Sequence, residues 1–294
     1  MIKRSFLCAL VLVTIYGLFI RYFSVKPVVQ YTLQDNLVRA QNYMYDDAVK
    51  GDDVMIGTSM SAKIKQEKLP KNVYILAGAG FSVYDGMSLI INSERHPKYV
   101  FIEENSILLP ERPDYIKYLF NLPDYYRKKY VTSMRDGYQP AGEFYSSVFI
   151  HTAPRIQWFT HYLFNPAIRV FYKGKILPVN PNDYYAREKM QSTTDTNLVK
   201  AAFARLKKKV SELEEGGTNV CFYRVPNAPK VHFSFVSITI MNYFPRYFPA
   251  SKYTYLANPD IYAYHEDDQI HMDDTSCIKF TGFIAGKIAA VIKK

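Results

Sequence analysis

Five short apolar runs, separated by helix-like stretches, constrain the fold of this 294-residue chain more than any other feature. They occupy 53–57, 72–80, 98–105, 218–226 and 252–258, and each ends in glycine, asparagine or proline. The runs are continuous rather than alternating, which is typical of strands buried on both faces. Such strands, alternating with helices, predict an α/β fold with a parallel sheet.

Helical periodicity is clearest over 197–215, just before the fourth run. Its predicted apolar face comprises Leu198, Ala201, Ala202, Leu206, Val210 and Leu213. A polar helix is expected at about 33–50, and an amphipathic helix ends the chain at 280–294. Residues 106–196 interrupt the alternation and are rich in Tyr, Phe, Pro and Asn. We therefore predict an insertion between the third and fourth strands, where it would lie over the ligand crevice of an open α/β sheet.

Aromatic side chains are concentrated in this insertion, which holds the single tryptophan, Trp158. Amphipathic rings suit a surface that stacks on sugars, and Trp158, Tyr125 and Tyr126 are the candidates for such a substrate-binding face. Ordinary core packing is the alternative for most aromatic residues here.

The N-terminus begins with Lys3 and Arg4, followed by an uncharged apolar run from Ser5 to Ile20. The run ends in large side chains rather than the small residues of a cleavage site, which favours an uncleaved signal anchor over 1–27. The remaining residues, 28–294, would form one domain. The charges that flank the run nearly balance, so they orient the anchor only weakly. We expect a single-pass membrane protein with an extracytoplasmic C-terminal domain, periplasmic or at the cell surface.

The net charge and the cysteine content give less information about binding partners and disulfides than the N-terminal run gives about location. The formal net charge is +10, but the basic residues are dispersed and no aromatic-interleaved motif accompanies them, so no nucleic-acid partner is expected. Cys8 lies in the anchor. Cys221 and Cys277 either pair in an oxidising compartment or remain buried thiols, and the sequence leaves both open.

Ser59 follows the first run, in the stretch IGTSMS. Gly57 allows a tight strand-to-helix turn, which would expose the Ser59 hydroxyl near a helix N-terminus and aim its N–H at a developing oxyanion. In the alternative interpretation, Ser59 or Ser61 only caps the next helix.

The second and third runs also end in residues that suit such a site. Gly80, or less favourably Gly78, would let backbone N–H groups approach a ligand closely. Asn105 has a side-chain amide that can donate to an oxyanion. Glycine and asparagine are ordinary turn residues as well.

The stretch AYHEDDQIHMDDTS, at 263–276, contains a D-x-x-H pattern formed by Asp268 and His271. The carboxylate can fix the imidazole tautomer, and His271 can then take a proton from a serine, which is too weak a nucleophile without a base. No metal site is expected, because helical ligand spacing is absent and His265 lies six residues from His271. In this interpretation His265, Glu266 and Asp267 are loop surface, and Asp273 or Asp274 caps the final helix.

Together, Ser59, Gly80, Asn105 and the D-x-x-H pattern occur in an order that resembles the SGNH, or GDSL-type, esterase and acyltransferase superfamily. The resemblance covers about 53–105 and 219–292 and leaves the insertion unmatched. It implies a triad of Ser59, His271 and Asp268, with Gly80 and Asn105 as oxyanion-hole donors beside the Ser59 N–H. Thr58 stands where the GDS pattern has aspartate. A G-x-S pattern without this aspartate is similar to the one found in membrane-anchored, cell-envelope branches of the superfamily. Examples of these branches are the teichoic acid D-alanine transfer proteins and the alginate acetylation proteins.

The resemblance further implies a flavodoxin-like, three-layer α/β/α domain with a mostly parallel five-stranded sheet. It implies a serine esterase or O-acyltransferase that needs no cofactor and acts on acyl esters of cell-envelope glycans or polymers, with a membrane-bound acyltransferase as a candidate partner. A catalytically silent SGNH-fold envelope protein, binding glycan or an assembly partner, is the alternative.

Overall fold

The computed structural model of the chain describes residues 2–23, 27, 29, 32–46, 49, 51–138, 195–268 and 270–293. The chain divides into two compact units. Unit 1 comprises 1–41 and 119–180, and unit 2 comprises 42–118 and 181–294.

Unit 2 contains a five-stranded sheet in which every strand pair is parallel. The strands are β1 (Asp53–Gly57), β2 (Val73–Ala77), β3 (Tyr99–Glu103), β4 (Asn219–Tyr223) and β5 (Thr254–Tyr255). Their order across the sheet is β2-β1-β3-β4-β5. The predicted α/β class with a five-stranded sheet is thus confirmed, and the sheet is entirely rather than mostly parallel.

Ten α-helices accompany the strands within the part of the chain that the structure describes. They are α1 (Ile2–Tyr22), α2 (Thr32–Tyr45), α3 (Ser59–Ala62), α4 (Val83–Asn92), α5 (Pro113–Leu119), α6 (Leu122–Tyr130), α7 (Thr196–Glu215), α8 (Pro229–His232), α9 (Phe235–Tyr247) and α10 (Asp274–Ile292).

Both faces of β4 are buried by aromatic and aliphatic packing. Tyr223 belongs to a core cluster that also holds Phe280 and Ile284 of α10. Phe222, whose side chain points to the opposite face because neighbouring strand residues alternate, packs against Phe244 and Phe248, with ring centroids 5.2 and 4.8 Å away. Double-sided burial explains why the strands appear in the sequence as continuous apolar runs.

The buried face of α7 differs in part from the predicted one. Leu198 and Ala201 are exposed, whereas Val199 and Phe203 are buried in their place. The Phe203 ring stacks on Tyr247, with centroids 4.9 Å apart. With Phe203 buried in this contact, the N-terminal half of the buried stripe lies one to two positions further along the chain than the predicted face.

The N-terminal helix α1 includes a span, Lys3–Tyr22, that is long and apolar enough to cross a membrane, with a mean hydropathy of 1.9. Most of its large apolar side chains are exposed. Helix α10 meets the same criterion of length and composition, but its Phe280, Ile284 and Ile288 are buried in the core of unit 2. Cys221 and Cys277 are buried free thiols in that core.

Replacing Phe222 by alanine tests the aromatic packing on β4. Phe222 is fully buried, so Phe222→Ala leaves a cavity and should lower the free energy of unfolding by about 3–5 kcal/mol. Urea unfolding in detergent measures the change. The matched control is Phe233→Ala, because that side chain is 52% exposed and should change stability little. Equal effects of the two substitutions would contradict this packing.

Candidate active site

Ser59 lies immediately past the carboxyl end of β1, as the first residue of α3. Thr58 precedes it in an extended conformation and caps the helix, its hydroxyl accepting from the Met60 N–H at 3.4 Å. The capping role considered for Ser59 or Ser61 therefore falls to Thr58. Ser59 itself is only partly buried, and its hydroxyl has another partner.

That partner is His271. The Nε2 atom of His271 lies 2.8 Å from the Ser59 Oγ, and its Nδ1 lies 2.6 Å from the Asp268 Oδ2. The three residues thus form a continuous hydrogen-bonded chain, although Ser59 and His271 are 212 positions apart. The distances suit proton transfer from the serine hydroxyl to the imidazole.

A tight hairpin presents Asp268 and His271. An antiparallel bridge joins Glu266 to Met272, and the Asp267 N–H donates to the His271 carbonyl at 2.9 Å. Within the turn, the Asp268 Oδ1 accepts from the backbone N–H of Ile270 and of His271, at 3.1 and 2.7 Å. This is how a three-residue spacing folds a carboxylate back against an imidazole.

The electrostatics of the turn keep Asp268 ionised. Partial burial acts to raise the pKa of Asp268. Hydrogen bonds from the side chain and backbone of His271, and from the backbone of Ile270, outweigh that effect and hold the pKa at about 2. A carboxylate at this position favours the tautomer in which His271 Nδ1 carries the proton and Nε2 faces Ser59 as an acceptor.

Lys63 connects the two halves of the site. It follows α3, and its Nζ donates to the Asp267 Oδ2 at 3.1 Å and to the Met272 carbonyl at 2.9 Å. Both acceptors belong to the hairpin that carries His271. Lys63 was not identified from the sequence, because a lone lysine after a short helix is typical of solvated surface.

The hairpin leads directly into α10. Asp273 caps this helix, its Oδ1 accepting from the Ser276 N–H at 2.6 Å. Asp274 lies in the first turn instead and pairs with Lys65 at 3.1 Å. Of the two residues considered for the cap, Asp273 is therefore the correct one.

A fully buried carboxylate, Glu103, lies against the turn that holds Ser59. It comes from the end of β3, the strand next to β1. Its Oε2 accepts from the Thr58 N–H at 2.8 Å and from the Ser61 hydroxyl at 2.5 Å, and its Oε1 accepts from the Thr58 hydroxyl at 2.9 Å. Glu103 therefore places a carboxylate directly beside Thr58.

Burial raises the pKa of Glu103, while hydrogen bonds from Ser61 and Thr58 act to lower it. Gly57 makes this arrangement possible, since a Cβ at that position would lie 2.3 Å from the Ser61 Oγ and 2.5 Å from the Glu103 Oε2. Glu103 was missed from the sequence because a charged residue near the end of an apolar run resembles the start of a turn.

The proposed oxyanion donors lie past the ends of β2 and β3, the two strands that flank β1. Gly80 has a φ of 75°, which L residues with side chains rarely adopt. Asn105 is bound to the loop after β4, where its Nδ2 donates to the Val225 carbonyl at 2.9 Å and its Oδ1 accepts from the Val225 N–H at 2.8 Å. One amide hydrogen of Asn105 is not used by these two bonds.

The three aromatic residues considered for sugar stacking differ in position. Tyr125 is buried in unit 1, where its ring packs on Phe120 with centroids 5.8 Å apart. Tyr126 is exposed and stacks on Tyr130. Trp158 lies outside the described residues. Among the described residues, an exposed stacking face therefore depends on Tyr126.

His265, Glu266 and Asp267 lie in the hairpin. Across the described part of the chain, no group of three or more His, Cys, Asp and Glu side chains is arranged to hold a metal ion.

No protein-family model matches the chain, and no curated protein matches it.

Substituting Glu103 tests whether the buried carboxylate sets the position of Ser59. Glu103→Gln turns an amide N–H₂ toward the donors of Thr58 or Ser61, so we expect a longer Ser59–His271 hydrogen bond and a loss of about 1–3 kcal/mol in stability. The ¹⁵N chemical shift of His271 Nε2 reports that hydrogen bond.

Asp53→Asn is the matched control. Asp53 is a buried carboxylate at the opposite end of β1, and it accepts from the Tyr99 N–H at 3.1 Å. This variant should lose stability while the His271 resonance stays unchanged. A wild-type His271 resonance in folded Glu103→Gln would contradict the role given to Glu103.

Proposed function

We propose that the chain is a membrane-anchored serine esterase or O-acyltransferase that acts on acyl esters of cell-envelope glycans or polymers. The observation that carries the proposal is the chain of hydrogen bonds from Ser59 Oγ through His271 to Asp268, with distances of 2.8 and 2.6 Å. Ser59 is a weak nucleophile alone, and a base held at its hydroxyl is the recurrent means of activating it.

In this mechanism Ser59 Oγ attacks the acyl carbonyl carbon while His271 Nε2 accepts the hydroxyl proton. Asp268 stabilises the resulting imidazolium through Nδ1. The tetrahedral intermediate collapses when His271 gives the proton to the leaving alcohol oxygen, which leaves an acyl group on Ser59. Water or a glycan hydroxyl then attacks the acyl-enzyme, with His271 as the base again. Attack by water completes hydrolysis, and attack by a hydroxyl completes acyl transfer.

The negative oxygen of the intermediate would be stabilised by the backbone N–H groups of Ser59 and Gly80 and by the side-chain amide of Asn105. Two features support this assignment. All three residues follow the carboxyl ends of adjacent strands, and Asn105 retains one amide hydrogen beyond its bond to Val225. A single donor of this kind typically contributes a factor of about 100–1000 to the rate.

The strand order supports an SGNH-type, flavodoxin-like three-layer fold. Order 2-1-3-4-5 is that of flavodoxin-like sheets, which bind ligands beyond the carboxyl ends of their strands, at a topological switch point next to the first strand. Ser59 follows β1, and the order Ser, Gly, Asn, D-x-x-H is that of the SGNH superfamily.

The proposed location and substrate class rest on the apolar helix α1. With α1 in the membrane as a single span, we place unit 2 outside the cytoplasm, where envelope glycans are the accessible acyl acceptors. A membrane-bound acyltransferase is the partner proposed to supply the acyl group in the transfer reaction. Residues 106–196 are proposed to contact the glycan.

A serine-directed fluorophosphonate probe tests the nucleophile in the intact protein. Labelling should occur at Ser59, and Ser59→Ala or His271→Ala should lower labelling and ester turnover by at least about 1000-fold. Ser211→Ala, at a partly buried serine of α7, is the control and should label like the wild type. If the wild-type protein resists the probe and Ser59→Ala leaves its cellular phenotype intact, the chain is a catalytically silent binding protein instead.

Asp268→Asn tests the third member of the triad. The amide favours the wrong imidazole tautomer, so kcat should fall by up to about 10,000-fold. Since the folded pKa of Asp268 is about 2, its contribution to stability is present above the unfolded value of about 4 and is lost as pH falls through about 2.

The difference in unfolding free energy between the wild type and Asp268→Asn should therefore shrink as pH falls from about 4 to about 2. Denaturant unfolding at several pH values measures it. A difference that stays the same across this range would show that Asp268 does not hold His271 as described.

A further inference from the structure

Helix α6 of unit 1 exposes an unusual stripe of large apolar and aromatic side chains. Leu122, Tyr126 and Tyr130 are 66%, 51% and 73% exposed, and their spacing of four places them on one face of the helix. The rings of Tyr126 and Tyr130 are stacked, with centroids 6.3 Å apart and planes within 6°. Such a contiguous stripe on a soluble surface marks an interaction site.

A buried polar cluster on the opposite face of α6, formed by Lys128 and Asp136, keeps the stripe facing outward. Lys128 Nζ lies 2.7 Å from the Asp136 Oδ2, and both side chains are almost completely buried. Asp136 is in turn bound to α2, since its backbone N–H donates to Gln41 and its carbonyl accepts from Gln34. Because α6 is fixed on this face, Tyr126 and Tyr130 cannot turn inward unless the ion pair between Lys128 and Asp136 is broken.

The segment that follows α6 packs on the apolar helix α1. Tyr16 of α1 donates its hydroxyl to the Tyr138 carbonyl at 2.9 Å, and a Cβ on Gly17 would lie 3.5 Å from the Ser133 Oγ. Ile20, one turn further along, is buried. Tyr16 stands six residues before the end of α1 at Tyr22, which is about 9 Å along the helix axis. With α1 in a bilayer, this contact lies at the depth where interfacial helices rest, about 5–10 Å into the headgroup and acyl boundary.

The chemistry of the stripe matches that boundary. Tyrosine is enriched at membrane interfaces, where its ring meets acyl chains and its hydroxyl meets water. Basic side chains flank the stripe on both sides, because Arg127 and Lys129 lie beside Tyr126 on the helix surface. Arg127 is paired with Asp124 at 2.8 Å, and Lys129 is the cation that the stripe offers to lipid. The Lys129 Nζ is 5.6 Å from the centroid of the Tyr130 ring. Cations beside an aromatic stripe favour anionic lipid headgroups.

We propose that α6 lies in the membrane surface beside α1, with Leu122, Tyr126 and Tyr130 inserted at the headgroup and acyl boundary of anionic lipid and Lys129 on the phosphates. Tyr126 is also the remaining described candidate for sugar stacking. The adjacent leucine and the contact with α1 favour lipid over a glycan. Unit 1 would then contact the membrane through two elements, one that spans it and one that lies on it. This proposal does not depend on the catalytic one.

Spin labelling of the full-length protein in nanodiscs of phosphatidylcholine and phosphatidylglycerol tests the proposal. The background is Cys8→Ser, which removes the exposed thiol and keeps the buried Cys221 and Cys277. Single Leu122→Cys, Tyr126→Cys and Tyr130→Cys variants carry the nitroxide. Collision rates with oxygen, which concentrates in lipid, and with a nickel chelate, which stays in water, report the depth of each label.

We expect a higher ratio of oxygen to nickel collisions at all three positions than at two controls, with a depth of about 5–10 Å for Tyr126. Arg127→Cys, about 100° around the same helix, is the near control. Glu215→Cys, exposed at the end of α7, is the aqueous reference. The proposal is overturned if labels at the stripe collide with the nickel chelate as often as the label at Glu215→Cys does. It is overturned equally if such water-exposed labels become immobilised when glycan is added, because the stripe would then bind sugar. If labels at the stripe collide rarely with both oxygen and the nickel chelate, the stripe is covered by protein, and this result also overturns the proposal.

Discussion

Parallel strands end at the same edge of a sheet, and this constraint brings together the parts of the candidate site that follow β1, β2 and β3 in unit 2. Ser59, Gly80 and Asn105 follow three adjacent strands, so chain segments up to 46 residues apart meet at one edge. The hairpin that carries His271 reaches the same edge from the other end of the chain. The Ser59–His271 hydrogen bond then depends on how firmly each partner is held, and the two are held by different means.

Ser59 is held from within the fold. Its turn rests on Glu103, which no solvent reaches and which accepts hydrogen bonds from the Thr58 backbone and from the hydroxyls of Thr58 and Ser61. Tyr223 of β4 continues the network, since its hydroxyl lies 2.6 Å from the Ser61 Oγ and 3.1 Å from the Ile56 carbonyl oxygen. An unsatisfied buried carboxylate is costly, so the network fixes one geometry for the backbone on both sides of Ser59.

The sequence predicted elements that depend on local pattern and missed those that depend on long-range partners. Continuous apolar runs identify strands buried on both faces, and all five strands occur within the predicted runs. The fifth run differs in burial, because β5 has only two residues, of which Thr254 is exposed and Tyr255 is partly buried. The pairing of His271 with Asp268 follows from a three-residue spacing within one turn. Glu103 was missed because its partners Thr58 and Ser61 precede it by 45 and 42 residues and meet it only in the folded chain. The buried stripe of α7 was partly misassigned because the Phe203 ring, rather than the average hydrophobicity of the helix, orients it.

His271 is held mainly at the surface, in contrast to Ser59. The side chain of Asp268 is 54% exposed, and the ion pair between Lys63 and Asp267 joins side chains that are 38% and 61% exposed. Exposed ion pairs of this kind contribute about 0–1 kcal/mol each. Buried hydrogen bonds therefore fix the turn of Ser59, whereas exposed contacts hold the hairpin of His271. This difference suits the proposed reaction, in which His271 serves two different oxygens in turn, first that of Ser59 and then that of the leaving or incoming alcohol.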